Sequence, residues 1–201
     1  DGLVISDGTF LYGMTYAGGT AGCGVVFKIK PDGTEYTRFV DFSGADNGCQ
    51  PRIGSLFYDG TFLYGMTDRG GASGWGIIFK VKPDGTAFSI LHQFTGGSNG
   101  SYGVSSLISD GIYLYGVTWG GYGEIFRIKP DGTEFQELYN FINANTSGYR
   151  PSGSLISVGN YLYGTTYYGG MYGGGMMTNC PGVGCGSIYR IKNDGSDFLQ
   201  L

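Results

Sequence analysis

The sequence predicts an all-β protein, a four-bladed β-propeller with four antiparallel strands in each blade. The motif Leu-Tyr-Gly-x-Thr begins at Leu11, Leu63, Leu114 and Leu162, so one unit repeats about every 50 residues. Glycine-containing turns separate short apolar segments, and no segment has helical periodicity. Four-stranded units repeating at about 40–50 residues are typical of propeller blades.

The chain is predicted to form a single domain, residues 1–201. Its four repeats are residues 1–52, 53–104, 105–152 and 153–201. Each repeat is expected to form one blade. Two arrangements are open from the sequence. The blades form a closed four-membered ring, or they form half of a larger propeller that a second copy or further sequence completes.

The second repeat shows how each strand is predicted. Asp-Gly and Pro-Asp-Gly sequences form tight turns, because glycine accepts positive φ and proline presets its own φ. Alternation after Gly76 places Phe79 and Val81 on one side of a strand and Lys80 on the other. The predicted strands of this repeat are 55–58, 62–67, 77–82 and 88–94.

Two repeated residue types are interpreted as architecture. Glycine inside the second strand weakens an isolated strand, so we expect it to permit close approach of the neighbouring sheet. Aspartates in the repeated turns are expected to accept hydrogen bonds from the turn backbone. They are Asp7, Asp59 and Asp110 in the first turn, and Asp32, Asp84, Asp131 and Asp194 in the second.

Charge argues against a nucleic-acid partner. The chain carries 12 Lys and Arg against 16 Asp and Glu, a net charge of −4, and most of its cations occupy equivalent strand positions instead of one basic stripe. Because no run of about 18 apolar residues occurs, no membrane span is expected.

The four cysteines predict two disulfides. Cys23 and Cys49 lie in loops that emerge on one face of a propeller blade, and Cys180 and Cys185 enclose a short glycine-containing loop. A zinc site is the alternative, but His92 is the only histidine and the Cys180–Cys185 spacing is not that of a zinc knuckle. Disulfides indicate an extracellular or cell-surface location. Asn99 and Asn145 begin sequons and are candidate glycosylation sites.

The ionisable residues do not predict catalysis. The first-strand segments, which line the channel of a propeller, contain no charged residue, whereas acid–base chemistry needs ionisable groups converging on one pocket. His92 has no evident Ser or Asp partner, so we expect a surface strand residue. We therefore expect no enzyme activity and no cofactor. Calcium ligation by connections such as 46–48 stays open, although no recognised spacing supports it.

The motif Leu11-Tyr12-Gly13-Met14-Thr15, followed by Gly18-Gly19 and residues 24–29, resembles the GloVer-type tandem repeat of secreted or surface-anchored bacterial proteins. The resemblance extends over essentially the whole chain. It implies a propeller-like, extracellular repeat protein without an established reaction, so no catalytic residue is carried over. Val158 departs from the pattern, because it replaces the aspartate of the first turn, and the loop after Gly170 is enlarged.

Function is expected where the repeats differ. Variable positions in the loops between second and third strands, and in the linkers between blades, share one face. Aromatic and arginine side chains there suit glycan stacking or protein contact. The long loop adds an apolar element. The candidate residues are Tyr16, Arg52, Asp68, Trp75, Tyr102, Trp119, Tyr149, Arg150, Tyr167, Met171, Tyr172, Met176 and Met177.

Two functions remain open from the sequence. The first is a non-catalytic structural or interaction module that binds itself or other surface proteins, and that self-assembles into a layer or filament. Outer strands such as 88–94, which lack strong charge, favour this function, because an unprotected strand edge can pair with another copy. The second is a glycan-binding module that uses the aromatic loop face.

Overall fold

The computed structural model describes residues 3–52, 54–97, 101–103, 105–142, 148–169 and 186–201. These residues form sixteen strands in four antiparallel sheets and contain no helix. Each sheet consists of four strands in sequence order. The first three sheets lie within repeats one to three, whereas the sheet of blade 4 begins at Tyr149, before the predicted boundary at residue 153. The prediction of an all-β, four-bladed propeller is therefore confirmed.

The blades are numbered 1 to 4 along the chain, and their strands run outward from the innermost. Blade 1 contains β1 (Ile5–Ser6), β2 (Leu11–Thr15), β3 (Val25–Ile29) and β4 (Thr37–Asp41). Blade 2 contains β5 (Phe57–Tyr58), β6 (Leu63–Met66), β7 (Ile77–Val81) and β8 (Ser89–Gln93). Blade 3 contains β9 (Ile108–Ser109), β10 (Leu114–Thr118), β11 (Glu124–Ile128) and β12 (Gln136–Asn140). Blade 4 contains β13 (Tyr149–Val158), β14 (Tyr161–Tyr168), β15 (Ser187–Lys192) and β16 (Leu199–Gln200).

The turn aspartates have the structural role that the sequence predicts. Asp59 Oδ1 accepts hydrogen bonds from the backbone N–H groups of Thr61 and Phe62, both at 2.7 Å, and Asp59 Oδ2 accepts one from the Tyr64 hydroxyl at 2.8 Å. Asp7 and Asp110 make the same three bonds in blades 1 and 3. The repeated Tyr of the Leu-Tyr-Gly motif therefore anchors the turn before it.

The glycines in the second strands make room for an aromatic ring of their own blade. The expectation that they permit close approach of the neighbouring sheet is therefore wrong. A Cβ on Gly65 would lie 2.6 Å from Phe79 Cζ, in the adjacent strand of blade 2. The equivalent Gly116 and Gly164 are covered by Phe126 and Tyr189 in the same way. The aromatic side chain of the third strand packs over the second strand at the glycine, because a glycine has no Cβ that would clash with it.

Consecutive blades pack through three apolar clusters. Each blade has a leading face, which meets the preceding blade, and a trailing face, which meets the following blade. In the third strand, Ile78 of blade 2 lies on the trailing face and packs with Phe126 and Ile128, which lie on the leading face of blade 3. The same arrangement joins blades 1 and 2, and blades 3 and 4.

Polar contacts repeat at the same interfaces. The backbone N–H groups of Leu3, Ser55 and Ser106 donate to the hydroxyl oxygens of Ser55, Ser106 and Ser154 of the following blade. Third-strand cations donate to main-chain oxygens in the turn between the third and fourth strands of the next blade. These pairs are Lys28 with Pro83, Lys80 with Pro130, and Arg127 with Asn193. The rows of cations expected from the sequence thus link neighbouring blades.

His92 belongs to a blade interface, so its assignment as a surface residue is wrong. Its ring is half-buried and stacks on Phe135 of blade 3, with centroids 3.7 Å apart and planes 5° apart. Tyr139 occupies the equivalent position in blade 3 and stacks on Phe198 of blade 4 at 3.8 Å. Burial lowers the pKa of His92 to about 4.

The outer strands begin later than the sequence suggests, at Thr37 and Ser89. Glu35 and Ala87 adopt positive φ, 53° in both cases, and this conformation ends the turn before the strand starts. The outer strand of blade 2 is therefore shorter than the predicted 88–94.

The Cys23–Cys49 disulfide is present, as predicted. It ties the loop before the third strand of blade 1 to the linker that leaves this blade. The second predicted bridge, Cys180–Cys185, lies outside the described residues, as do Met171, Tyr172, Met176, Met177 and both sequon asparagines, Asn99 and Asn145.

Candidate functional site

The loops between second and third strands, and the linkers between blades, meet at one end of the propeller. Gln50 and Tyr102 in the linkers, and the equivalent Arg150 at the start of β13, adopt positive φ of 57°, 59° and 55°. Their backbone N–H groups donate to the carbonyl oxygens of Cys23, Trp75 and Tyr122, at 2.7, 3.1 and 2.6 Å. This repeated bond fixes each linker against its own blade and sets the position of the residues that follow.

A cavity of about 270 Å³ opens at this end, and we call it the loop pocket. Its lining combines the linkers with the loops of blades 2 and 3. The lining residues are Arg52, Asp68, Arg69, Tyr102, Trp119, Gly120, Gly121 and Arg150. Five of the residues singled out in the sequence thus line one cavity.

Arginine side chains lie over aromatic rings at the loop pocket. The Arg150 guanidinium is 5.0 Å from the Trp119 ring centroid and 5.7 Å from that of Tyr168. The Arg69 guanidinium lies 5.0 Å from the Tyr102 ring centroid. Such cation–π contacts hold a guanidinium in a defined plane, so these two arginines are oriented before a ligand arrives.

Asp68 is the carboxylate of the loop pocket. Its side chain is almost fully buried, at 4 % exposure. Its Oδ2 lies 3.8 Å from Arg69 Nε, while its buried Oδ1 has no hydrogen-bond partner. Burial raises the pKa of this carboxyl, and the charges of Arg52 and Arg69 act in the opposite direction. A buried oxygen without a partner is energetically costly.

Sequence reasoning missed Arg69 and Tyr168. Arg69 directly follows the variable position of its loop, at Asp68, so the same criterion extended by one residue would have included it. Tyr168 follows Tyr167 in the same way in repeat four. Their place at the site depends on contacts with residues distant in sequence, Arg69 with Tyr102 and Tyr168 with Arg150. Aligning the repeats does not reveal such contacts.

Of the other predicted residues that the structure describes, Trp75, Tyr149 and Tyr167 contact aromatic residues at or beside the loop pocket. Trp75 packs edge-on against Tyr102 at 5.3 Å, and Tyr167 packs edge-on against Trp119 at 6.4 Å. Tyr149 stacks on Tyr168 at 5.2 Å. Tyr16 is exposed on blade 1. The aromatic residues therefore form two groups beside the pocket, Trp75 with Tyr102, and Trp119 with Tyr167, Tyr168 and Tyr149.

A second cavity, of about 520 Å³, opens between blades 2 and 3 and is lined by turn residues, among them Asp59, Gly111 and Pro130. The Asp59 oxygens are already bonded to the turn backbone and to Tyr64. No cluster of three His, Cys, Asp or Glu side chains occurs among the described residues. The described part of the chain also holds no helix that could span a membrane.

The two outermost blades each present an uncovered face. On blade 1, the leading end face carries Val4, Leu11, Phe27 and Ile29. Val4 is 51 % exposed, whereas the equivalent Leu56 of blade 2 is 3 % exposed. Leu11, Phe27 and Ile29 are partly exposed, although their counterparts in blades 2 to 4 are buried.

On blade 4, the trailing end face carries Ile156, Tyr163, Ile188 and Arg190. Ile188 is 55 % exposed, whereas the equivalent residues Val26, Ile78 and Ile125 are fully buried. Arg190 Nε is buried without a hydrogen-bond partner, at the position from which Lys28, Lys80 and Arg127 reach the next blade. In a ring closed by these four blades, the two end faces would cover each other.

Comparison with known proteins is consistent with this fold. The family described as the Gloeobacter/Verrucomicrobia repeat matches residues 1–178. Among curated proteins, no sequence matches the chain. Solved structures match by shape at low sequence identity, and at such identity they show the fold alone.

One similar structure is the nidogen/laminin complex, with a TM-score of 0.57 and 15 % identity over 95 % of this chain and 60 % of that one. TolB from Acinetobacter baumannii has a TM-score of 0.56 and 11 % identity over 99 % of this chain and 43 % of that one. The GH74 enzyme of Niastella koreensis has a TM-score of 0.62 and 16 % identity over 99 % of this chain and 29 % of that one. The present chain thus spans less than two thirds of each of these proteins.

Proposed function

This chain belongs to the Gloeobacter/Verrucomicrobia repeat family, and we propose that it is a non-catalytic extracellular interaction module that assembles with further copies of itself. The observation that carries the proposal is the pair of uncovered end faces. Both are largely apolar, and the counterparts of Val4, Leu11, Phe27, Ile29, Tyr163 and Ile188 are buried at the internal blade interfaces. An exposed apolar patch of this kind marks an association surface.

The two end faces match each other in the same way as adjacent blades. The leading end face of blade 1 carries the residue types that pack three times against a preceding blade. The trailing end face of blade 4 carries Ile188, whose counterparts pack three times against a following blade. Arg190 occupies the position from which Lys28, Lys80 and Arg127 donate to a main-chain oxygen of the following blade. Blade 4 of one copy therefore packs on blade 1 of another.

Such head-to-tail contacts are heterologous, because each joins two different surfaces. The rotation between neighbouring copies therefore decides whether a closed ring or a filament forms. If the rotation from copy to copy closes, two copies make one larger ring. If it does not close, the copies continue as a filament, from which a surface layer can grow. Both products use the same interface, and neither requires a change in the blades.

Two further features support the non-catalytic and extracellular parts of the proposal. The inner segments 3–6, 55–58, 106–109 and 154–157 carry no charged side chain, and serine hydroxyls there are used for contacts between blades. The Cys23–Cys49 disulfide suits an oxidising compartment.

The proposal is tested by light scattering coupled to size-exclusion chromatography over a range of concentrations. We expect the wild-type chain to have at least twice its monomer mass of 21.4 kDa, and Ile188→Glu to reduce it to a monomer, because a charge would be buried without a partner. Ile112→Glu is the matched control, because Ile112 is an equally exposed isoleucine in a turn of blade 3. A wild-type monomer at every concentration would refute the proposal.

Glycan binding at the loop pocket is the second candidate function. It is favoured by arginine and aromatic side chains that face one cavity together with an unsatisfied carboxylate oxygen. A glycan array tests it, and binding that persists in Ile188→Glu would separate this function from assembly.

A further inference from the structure

The loop pocket has an excess of positive charge in an acidic protein. Three arginines and one carboxylate line it, namely Arg52, Arg69, Arg150 and Asp68, whereas the chain as a whole has a net charge of −4. Guanidinium groups suit planar, two-oxygen anions, because their N–H donors form a fixed fork. The pocket therefore selects a ligand that carries an anionic group.

Arg150 is prepared for such a ligand. Its guanidinium stacks over Trp119, which leaves the N–H donors at the edge of the plane. Its Nε is buried and has no hydrogen-bond partner. A buried charged donor without an acceptor is unfavourable, so an incoming oxygen would relieve an existing cost.

Asp68 adds a second requirement to the ligand. The residue is 3 % exposed, and its Oδ1 has no hydrogen-bond donor. A bare anion such as sulfate offers this carboxylate no hydroxyl donor. A ligand that offers hydroxyl groups beside its anionic group satisfies both Asp68 and the arginines.

We propose that the loop pocket binds a hexuronate residue of an acidic polysaccharide, with the sugar carboxylate on Arg52 and Arg150 and a sugar hydroxyl donating to Asp68 Oδ1. The proposal rests on the glycan-binding function and names its ligand class. Tyr102 and Trp119 supply aromatic walls for the sugar ring. The cavity, about 270 Å³, lies just below the range of drug-sized pockets, which suits one sugar ring of a longer chain.

Titration calorimetry at low ionic strength tests the assignment, with trigalacturonate and its methyl ester as probes. We expect the acid to bind at least about tenfold more tightly than the ester, since a charge-assisted hydrogen bond contributes on this scale. Equal binding of the two probes, or no binding of trigalacturonate, would overturn the proposal.

Variants locate the site. Arg52→Gln removes one charge from an exposed position and should weaken trigalacturonate binding about tenfold, as should Arg150→Gln. Arg38→Gln makes the same change on the outer strand of blade 1, where Arg38 lies 3.4 Å from Asp41, and should leave affinity within about twofold. If Arg38→Gln weakens binding as much as Arg52→Gln does, the effect is general electrostatics and the site assignment is wrong.

The assembly proposal fails or succeeds independently of this assignment. Ile188→Glu lies on the trailing end face and outside the lining of the loop pocket. We expect it to bind trigalacturonate as the wild type does. Loss of trigalacturonate binding in a folded Ile188→Glu variant would show that the ligand is held between copies, and would overturn a site within one pocket.

Discussion

At the scale of single residues, the repeated aspartates stabilise the blades through turn geometry. Asp7, Asp59 and Asp110 each accept two backbone bonds and one tyrosine hydroxyl. These bonds hold the pKa of each carboxyl below its usual value, although desolvation opposes them. Val158 replaces this aspartate in blade 4, so its turn lacks the carboxylate.

We expect Asp59→Ala to lower the free energy of unfolding by about 1–3 kcal/mol, because two backbone donors and the Tyr64 hydroxyl lose their acceptor. Urea unfolding at pH 7 measures the change. Asp46→Ala is the control, since Asp46 lies exposed in the linker after blade 1, and should change stability by less than about 0.5 kcal/mol. Equal effects of the two substitutions would contradict the assigned role.

His92 makes the free energy of unfolding depend on pH in a range above that in which the turn aspartates titrate. Its pKa is about 4 in the folded protein against 6.5 for an ordinary histidine, so the unfolded chain takes up the proton first as pH falls. The stabilisation is complete above about pH 6.5 and is lost between there and pH 4. We expect the loss to be about 1–2 kcal/mol, after allowance for the part of the ring that meets solvent.

His92→Tyr should abolish this loss, because Tyr139 shows that tyrosine makes the same stack at the equivalent position. Thermal unfolding followed at pH 7.5 and pH 4.5 compares the two proteins. An unchanged pH dependence in His92→Tyr would mean that other groups titrate in this window.

At the scale of elements, blades 1 to 3 each join the loop before the third strand to the outgoing linker by different chemistry. Blade 1 uses the Cys23–Cys49 disulfide. Blade 2 uses the edge-on contact of Trp75 with Tyr102, and blade 3 that of Tyr122 with Tyr149. A backbone hydrogen bond common to these three blades lies at the same junction. The disulfide and the aromatic contacts thus stabilise the same junction, between the loop before the third strand and the outgoing linker.

We expect Cys23→Ser combined with Cys49→Ser to cost about 2–4 kcal/mol of stability, since the bridge encloses a separation of 26 residues. The fold should persist, because blades 2 and 3 hold this junction without a disulfide. Thermal unfolding and far-ultraviolet circular dichroism of the double variant are the measurements. Complete unfolding of the variant at room temperature would show that the junction depends on the covalent bond.

The strands were predictable because their signals are local. Asp-Gly turns and residue alternation lie within about ten residues of each strand, and the repeat shows the same pattern four times. The sequence also indicated which residues line one cavity, because equivalent loops of the repeats lie at the same end of the propeller. These residues are Arg52, Asp68, Tyr102, Trp119 and Arg150. Contacts between blades were not predictable, since they join residues about 50 positions apart. The stacking of His92 on Phe135 and the burial of Asp68 depend on such contacts.

At the scale of the whole molecule, the blades stack in series through one repeated interface. The described residues make this interface three times, with the same apolar positions and the same cation-to-carbonyl bond. The end faces of blades 1 and 4 keep the residues for a fourth contact, but they remain exposed. In repeat architectures, where each unit is stabilised by its neighbours, an uncovered terminal face is unfavourable in water.

The central claim is that copies associate head to tail, blade 4 of one copy on blade 1 of the next. The most direct test is a mixing experiment with Val4→Glu, which blocks the leading end face, and Ile188→Glu, which blocks the trailing end face. Each variant alone should remain at the monomer mass of 21.4 kDa, since every head-to-tail contact then includes a buried charge. An equimolar mixture should form a heterodimer of twice that mass in native mass spectrometry, because the two intact faces belong to different chains. A mixture that stays monomeric, or a single variant that still dimerises, would contradict the claim.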